Sequence, residues 1–288
     1  MRDDFCVFIL SYNRPQQVKT LDTLDKHGYE GDRYIIINHE DDIEPYTEEH
    51  GEDRVIYLDK EDALPETDRG DNFDRRDTPL YTRNQLWDLA DNLGYDYFLV
   101  LDEDYYHFQY RFTESFDYHP SYEYLDDFNE YIDAAIEYME RGDLDTLCMA
   151  QGGDFIGGAD SQMAQQVQTK RKAMNTFLCR TDKPFKFRGT MNDDVNTYVR
   201  AAQYGKRFLT VNFVSVDQEN TQQDDGGLAD IYADHGTYMK SFYTVLYSPS
   251  CASISKLHDR ADERMHHKIS WRNAVPKIVP ESTKAEGN

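Results

Sequence analysis

The chain has no stretch approaching the roughly 18 consecutive apolar residues that a membrane-spanning helix requires, so no such helix is expected. Cysteine is sparse: Cys6, Cys148, Cys179 and Cys251 lie far apart, and no two have CxxC spacing. That excludes a disulfide framework; Cys6, Cys148 and Cys179 sit in apolar runs and read as buried thiols of a reducing compartment. The opening MRDDFCVFILSYNRP has too short an apolar stretch, and the wrong flanks, for a signal peptide. Both features predict a cytoplasmic protein. Positive charge is scarce as well, with 31 Lys and Arg against 55 Asp and Glu, a net charge of −24. A surface of that sign excludes non-specific polyanion binding by the whole molecule. No internal repeat, low-complexity run or linker divides the chain, so a single domain is expected. What remains is 288 residues, 39% hydrophobic and 14% aromatic with 22 Tyr. This is enough for a full core and excludes wholesale disorder.

The order of elements gives the fold class. DDFCVFILSYNRP reads as a buried strand ending in a polar turn. Asn13 is placed to cap a helix there, with Pro15 in its first turn, and QQVKTLDTLDKHG has helical spacing closed by Gly28. RYIIINHEDD and RVIYLD are further strands, which makes a parallel βαβ start. Residues 60–79 are polar and predict a mobile loop. TPLYTRNQLWDLADNLG is an amphipathic helix with Leu80, Leu86, Leu89 and Leu93 on one face and Gly94 as its stop. YDYFLVLDEDYYHF then carries a strand, with HFQYRF expected as its antiparallel neighbour. SYEYLDDFNEYIDAAIEYMERG reads as a long helix, and DTLCMAQGG and MNTFLCR as strands. NDDVNTYVRAAQYG is a helix with an acidic first turn, KRFLTVNFVSVDQ a strand and LADIYADHGTYMKSFYTVLY a helix. The fold class is α/β, a mixed, mainly parallel sheet flanked by helices.

The chemistry concentrates where the strand FLVL runs into Asp102, Glu103 and Asp104. Carboxylates crowded at a strand end repel one another, so something must offset the repulsion. Residues two apart on a strand face the same side, which lets Asp102 and Asp104 share one ion while Glu103 points elsewhere. Paired hard oxygens suit Mg²⁺ or Mn²⁺, which keep open positions for phosphate oxygens. The place agrees with ligands lying beyond the carboxyl ends of parallel strands. A solvated acidic turn is the bland alternative.

VFILSYNRP and FLVLDED resemble a GT-A-fold glycosyltransferase using a nucleotide sugar. YTRNQLWDLADNLGYDYFLVLDEDYYHF, with RGTMNDDVN some ninety residues on, narrows this further. It resembles the TET-associated glycosyltransferase family, related to the base J glucosyltransferase. The resemblance spans roughly residues 5–275. It implies an inverting hexosyltransferase that moves a sugar, with UDP-glucose the expected donor, to the hydroxymethyl group of a 5-hydroxymethylpyrimidine in double-stranded DNA. Many such enzymes are phage-encoded and act in the cytoplasm of the infected cell. Residues 1–104 become the nucleotide-sugar half, 105–275 the acceptor half, and 276–288 a flexible tail.

Position by position, the resemblance puts Ser11, Tyr12, Asn13 and Arg14 at uracil and ribose, although a helix-capping turn explains them too. It puts Arg83 and Asn84 on the helix facing the nucleotide, Arg83 against a diphosphate oxygen; a surface helix pair is the alternative. Asp102 and Asp104 match the DxD metal motif, and Glu103 is counted with the donor contacts. The last acid of NDD is the base, which favours Asp194 over Asp193, with Asn192 as helix cap; acids in a first turn also arise from the helix dipole alone. A late His completes the metal in such enzymes, and of His258, His266 and His267 the choice is His267, against a solvated or core histidine. AQGGDFIGG lets backbone approach the sugar, with Asp154 holding a hydroxyl, unless it only forms a turn. One basic island, Gln165 to Gly189, carries Lys170, Arg171, Lys172, Arg180, Lys183, Lys186 and Arg188 against Asp182 alone. Lys170, Arg171 and Lys172 are the candidates for DNA phosphates, with an exposed charged loop as the alternative. A glycan or protein acceptor, or a catalytically inactive nucleotide-sugar-binding domain, are the rival readings.

Overall fold

The computed structural model describes residues 2–72, 78–218, 228–258 and 263–275, with backbone alone for 228–237, 257–258 and 263–264. The expected tail, 276–288, and the end of the loop, 73–77, lie outside the described residues, and so does the side chain of His258. In chain order the elements are β1 (Phe5–Leu10), α1 (Lys19–Lys26), β2 (Asp32–Ile37), α2 (Ile43–His50), β3 (Val55–Tyr57), α3 (Lys60–Ala63), α4 (Leu80–Leu93), β4 (Tyr97–Asp102) and β5 (Tyr105–Tyr110). There follow α5 (Phe128–Arg141), β6 (Thr146–Gln151), β7 (Thr169–Lys170), β8 (Phe177–Arg180), α6 (Asp193–Gln203), β9 (Phe208–Gln218), α7 (Leu228–Tyr247), β10 (Ala252–His258), β11 (Glu263–Ile269) and α8 (Trp271–Ala274).

The main sheet runs β3-β2-β1-β4-β8-β6-β9-β5, with β7 on β9; β10 and β11 form a separate hairpin. Strands β3, β2, β1 and β4 are mutually parallel, β8 is antiparallel to both its neighbours, β9 is parallel to β6, and β5 closes the far edge antiparallel. This is the mixed, mainly parallel sheet expected of a GT-A fold. Because both faces are covered, central strands are apolar throughout: all six residues of β1 are buried. Alternate residues serve different layers. Phe5, Val7 and Ile9 pack with α1 and α5, while Cys6, Phe8 and Leu10 pack with α4 and α6.

Several expectations shift. HFQYRF is not the neighbour of β4, whose two edges are taken by β1 and β8; β5 crosses to the far side and pairs with β9. The helix expected from Ser121 begins at Phe128, where Asp127 accepts the Glu130 N–H. The residues before it bond to β5 instead, Leu125 N–H donating to Phe108 O. In α4 the buried face takes in Tyr81, Arg83, Asn84 and Trp87, while Leu93 is exposed; Gly94 ends the helix in the left-handed region, as expected. Residues 60–72 are not a free loop. They form α3 and a 3₁₀ turn, then lie against residues 188–190: Gly189 N–H donates to Asp68 O and Thr190 N–H to Arg69 O. Asp68 accepts from Tyr247, and Asp71 from Tyr243, both on α7.

Candidate active site

The parity of β4 decides what its acidic end meets. Phe98 and Val100 face the α4 and α6 layer, so Asp102, of the same parity, emerges on that side. Arg83 of α4 is waiting there. Its guanidinium donates from Nη1 to Asp193 Oδ2 at 2.8 Å and from Nη2 towards Asp102 Oδ1 at 3.5 Å. The Asp193 pair is buried on both sides, with side chains 5% and 6% exposed. The rings of Phe177 and Phe187 lie under the guanidinium, 5.5 and 5.4 Å from Cζ. Burial opposes the charge on Arg83, but the carboxylates of Asp193, Asp102 and Asp194 overcome it and its pKa lies above the usual value. Burial pushes Asp102 and Asp193 up against the opposing pull of Arg83. One buried arginine thus ties the strand-end acid to the NDD helix start, although the two lie about ninety residues apart in sequence.

The acidic turn is braced from behind by α1. Thr20 Oγ1 donates to Asp102 O at 2.6 Å and accepts the Tyr105 N–H at 3.1 Å, and Thr20 N–H donates to Glu103 O. Strand β4 stops at Asp102 and β5 starts at Tyr105, so Glu103 and Asp104 form the turn between them. The two-residue strand alternation that placed Asp102 and Asp104 on one side therefore ends at Asp102, two residues short of Asp104. Glu103 sits beside Arg14, Oε1 to Nη1 at 3.6 Å, and burial followed by the neighbouring Asp102 raises its pKa to about 8. Asp102 makes only long contacts, 3.5 Å to Arg83 and 3.4 Å from Tyr105 Oη, and its side chain is 29% exposed. It is a hard oxygen donor, as is Asp104 in the adjoining turn, and carboxylate oxygens of this kind fit Mg²⁺ or Mn²⁺. Among the described residues no three His, Cys, Asp or Glu side chains gather into a cation cluster, so His267 is not brought to these two aspartates.

Beyond the carboxyl ends of β1 and β2 the residues expected at the nucleotide do come together. Ser11 Oγ meets Tyr46 Oη at 2.6 Å, and Arg14 N–H donates to the same phenol. The Tyr12 ring lies 4.5 Å from that of His39, and Asn13, at φ 53°, donates its N–H to Asp42. Asn13 caps no helix: Arg14 precedes the 3₁₀ turn Pro15–Gln17, and α1 begins only at Lys19. Lys60 Nζ lies 3.1 Å from His39 Nε2. His39, Asp42, Tyr46 and Lys60 were missed; the signal for the first two was NHEDD directly following a strand, the same rule that picked out Ser11 to Arg14. Asn84, by contrast, faces protein. Its amide exchanges two hydrogen bonds with the backbone of Phe187, at 2.7 and 3.1 Å.

The two NDD acids differ. Asp193 is committed to Arg83, whereas Asp194 accepts its own helix's Val195 N–H through Oδ1 at 2.7 Å and makes no other hydrogen bond among the described residues. Asn192 stands at the cap position in the left-handed region (φ 58°), but its side chain makes no capping bond. It reaches instead to Thr244 Oγ1 at 2.6 Å and His267 Nδ1 at 3.3 Å. Burial, then His266, Lys240 and Lys172, lowers the His267 pKa to about 3. Asp154 closes its own turn by accepting Gln151 N–H and also pairs with Lys172 at 2.5 Å. Much of the basic island is likewise neutralised: Arg180 pairs with Asp182, Lys183 with Asp143, Lys186 with Glu66 and Arg188 with Asp68. Lys170 and Arg171 make no ion pair among the described residues; Arg171 is exposed, and burial lowers the pKa of Lys170. All four cysteines are free and buried, and no described helix is long and apolar enough to cross a membrane.

No curated protein sequence matches the chain significantly. Among solved structures, it is similar to glucosyl-3-phosphoglycerate synthase from Mycobacterium tuberculosis in complex with Mn²⁺ and UDP-glucose, at 12% identity and a TM-score of 0.47, over 96% of this chain and 88% of that one. It is also similar to mannosyl-3-phosphoglycerate synthase from Rubrobacter xylanophilus, at 9% identity and a TM-score of 0.43, over 92% and 84%. A sequence model of the TET-Associated Glycosyltransferase family matches residues 5–227, from β1 through β9 and so across every carboxylate of the site. The chain belongs to the TET-Associated Glycosyltransferase family.

Proposed function

We propose that this glycosyltransferase moves a hexosyl group, glucose from UDP-glucose, onto the hydroxymethyl group of a 5-hydroxymethylpyrimidine in duplex DNA, with inversion, as part of phage DNA modification. Residues 1–104 hold the donor and 105–275 the acceptor. The observation that carries this reading is the Arg83 bridge, which joins the strand-end Asp102 to Asp193 and leaves Asp194 beside them with an uncommitted oxygen. Asp194 takes the proton from the acceptor hydroxyl. That oxygen bonds to the anomeric carbon from the face opposite the departing diphosphate, whose C–O electron pair leaves with UDP. Arg83 opposes the rise that burial causes in the Asp193 pKa and fixes the start of α6, so Asp194 is aimed by a rigid element. Asp102 and Asp104 would hold a divalent cation, Mn²⁺ or Mg²⁺, which supplies charge compensation for the leaving diphosphate. Ser11, Tyr12 and Arg14 line the nucleoside, Glu103 stands at its ribose side, and Lys170 and Arg171 face the DNA backbone.

Incubating the protein with Mn²⁺, a panel of nucleotide sugars and DNA containing 5-hydroxymethylpyrimidines, then digesting to nucleosides for mass spectrometry, tests this. A hexose mass increment on the modified nucleoside is expected. No increment on any nucleoside, with transfer to a free oligosaccharide, would replace the DNA acceptor by a glycan. One observation favours that second reading: five of the seven basic side chains in the island are already ion-paired within the protein.

A further inference from the structure

Asn192 carries a side chain that its backbone does not need. It stands in the left-handed region (φ 58°, ψ 34°) directly before α6, a conformation that glycine takes without steric cost. The residue is buried, and its Oδ1 has no hydrogen-bond partner among the described residues. What the side chain contributes is at the amide nitrogen. Nδ2 donates to Thr244 Oγ1 at 2.6 Å and also faces His267 Nδ1 at 3.3 Å. Thr244 in turn donates its one hydroxyl proton to Asn196 Oδ1 at 2.9 Å. Asn196 Nδ2 then donates to Arg188 O at 3.0 Å and to Met191 O at 2.9 Å, both in the loop that leads into α6. The Thr244 hydroxyl thus accepts from one asparagine and donates to the other, which no apolar side chain can do. Thr244 and Asn196 are fully buried, so water does not stand in for either bond. The loop passes so close that a Cβ on Gly189 would lie 2.5 Å from Asn196 Nδ2.

These bonds hold the turn that carries the NDD acids. Asn192 O accepts the Asn196 N–H at 2.9 Å, which closes the first turn of α6 around Asp193 and Asp194. Arg83 grips that turn at Asp193. One ion pair fixes a point and not an orientation, so with Arg83 alone the turn could roll about the contact and swing Asp194 aside. A second anchor from another element removes that freedom, and α7 supplies it through Thr244. The sequence marks α7 only as a helix, because nothing local ties residue 244 to residue 192. We propose that Thr244 is a positioning residue for Asp194: its hydroxyl, acting through Asn192 and Asn196, fixes the start of α6 and so the direction of the base. The inference rests on the transfer reading above for the role of Asp194. Misplacing a reacting group by about 1 Å costs on the order of 10²-fold in rate, so loss of this anchor is read in turnover.

The test follows release of UDP from UDP-glucose with Mn²⁺, with hydroxymethylated DNA or water alone as acceptor, so it does not depend on the acceptor assignment. Thr244→Val keeps the shape and removes the hydroxyl; it should lower kcat about 10–100-fold with donor affinity unchanged by calorimetry, and Thr244→Ser should recover most of the rate. Asn192→Gly keeps the left-handed turn and removes the tether, and should lose rate as Thr244→Val does; it covers the case in which a buried valine impairs folding. The decisive comparison is made in Asp194→Asn, where Thr244→Val should have less than about a twofold further effect, because the group it aims is already gone. When Asp194→Asn is itself slow, an equal loss in both backgrounds overturns the proposal, as does an undiminished rate in Thr244→Val and Asn192→Gly. Amide exchange gives a readout without turnover. Asp194 Oδ1 holds the Val195 N–H at 2.7 Å, so exchange at Val195 reports the direction of that carboxylate. It should quicken at least about tenfold in Thr244→Val and not in Thr244→Ser, and unchanged exchange also overturns the proposal. If Asp194→Asn turns over like the parent, the base assignment falls, and the exchange result still decides whether Thr244 holds the carboxylate.

Discussion

Replacing Arg83 by Met removes the cation from a pair whose side chains are 5% and 6% exposed and 2.8 Å apart. Breaking a buried pair from one side leaves an uncompensated charge and costs about 3–5 kcal/mol. Asp193 has an escape, because burial already pushes its pKa up and the loss of Arg83 removes the main opposing pull. The sign follows directly. A carboxyl whose folded pKa lies above its unfolded value favours the protonated fold, so the variant loses stability as pH climbs through that folded pKa. The deficit relative to the parent should therefore be larger at pH 8 than at pH 5. Urea unfolding at the two pH values measures it, with Arg83→Met/Asp193→Leu closing a double-mutant cycle. With both charges gone the stability should largely return, since an apolar pair of similar volume is often neutral in such a place. Two results would refute the reasoning: a single variant that loses less than about 1 kcal/mol at pH 8, or a double variant no more stable than the single one.

Asp194→Asn should lower the transfer rate by about 10²–10⁴-fold while donor affinity, measured by calorimetry, stays put; a loss confined to KM would point to binding instead. Asp102→Asn should abolish the Mn²⁺ dependence of UDP binding, and chelation should do the same to the parent; UDP affinity indifferent to chelator would remove the metal from the scheme. For DNA, Lys170→Ala/Arg171→Ala should reduce the slope of log affinity against log salt by up to about 1.8 without touching UDP binding, and an unchanged slope would take these side chains off the phosphates. His27 donates through Nδ1 to Leu125 O and accepts the Phe108 N–H at Nε2, and burial lowers its pKa. The unfolded chain then binds the proton first as pH falls below about 6.5, so this residue alone should subtract up to about 1.4 kcal/mol by pH 5.5. Unfolding curves of the parent and His27→Gln at pH 7.5 and 5.5 should show a smaller loss in the variant.

What was legible in the sequence followed local rules. Buried strands announced themselves as FCVFIL and YFLVL, and their polar exits marked the residues that meet beyond the sheet. Gly94 as a stop and the acidic start of α6 are likewise one-turn signals. Pairings set by distant partners were not legible. HFQYRF is close to β4 in sequence, yet β4 has no free edge, because β1 holds one side and the later strand β8 takes the other, while β9 offers β5 its pairing at the far edge. The basic island misled for the same reason: Arg188 and Lys183 look unopposed until the fold brings Asp68 and Asp143 beside them. The resemblance put Asn84 with Arg83 on the helix facing the nucleotide, but neighbours on a helix point about 100° apart, and its direction is towards Phe187.

The acidity that makes this chain unusual in bulk is also the organising fact of its site. Asp102, Glu103, Asp193 and Asp194 converge on Arg83 and Arg14, so that among the described residues four carboxylates face these two guanidinium groups. The imbalance is visible as a cost, since burial raises the pKa of Asp102, Glu103 and Asp193 despite those arginines. A merely solvated acidic turn would show no such effect, because water would screen it. A fold that keeps carboxylates at an electrostatic disadvantage needs further positive charge to relieve it, and a divalent cation between the strand end and a diphosphate provides that charge at the moment the donor binds. Replacing Glu103 by Gln removes one of the competing acids, so the free protein should gain stability at pH 8, where the parent carboxyl is about half ionised at its own expense. The gain should shrink when Mg²⁺ and UDP are present. If Glu103→Gln is instead neutral at pH 8 in the free protein, the carboxylates are not in conflict and the case for a cation at this turn loses its electrostatic footing.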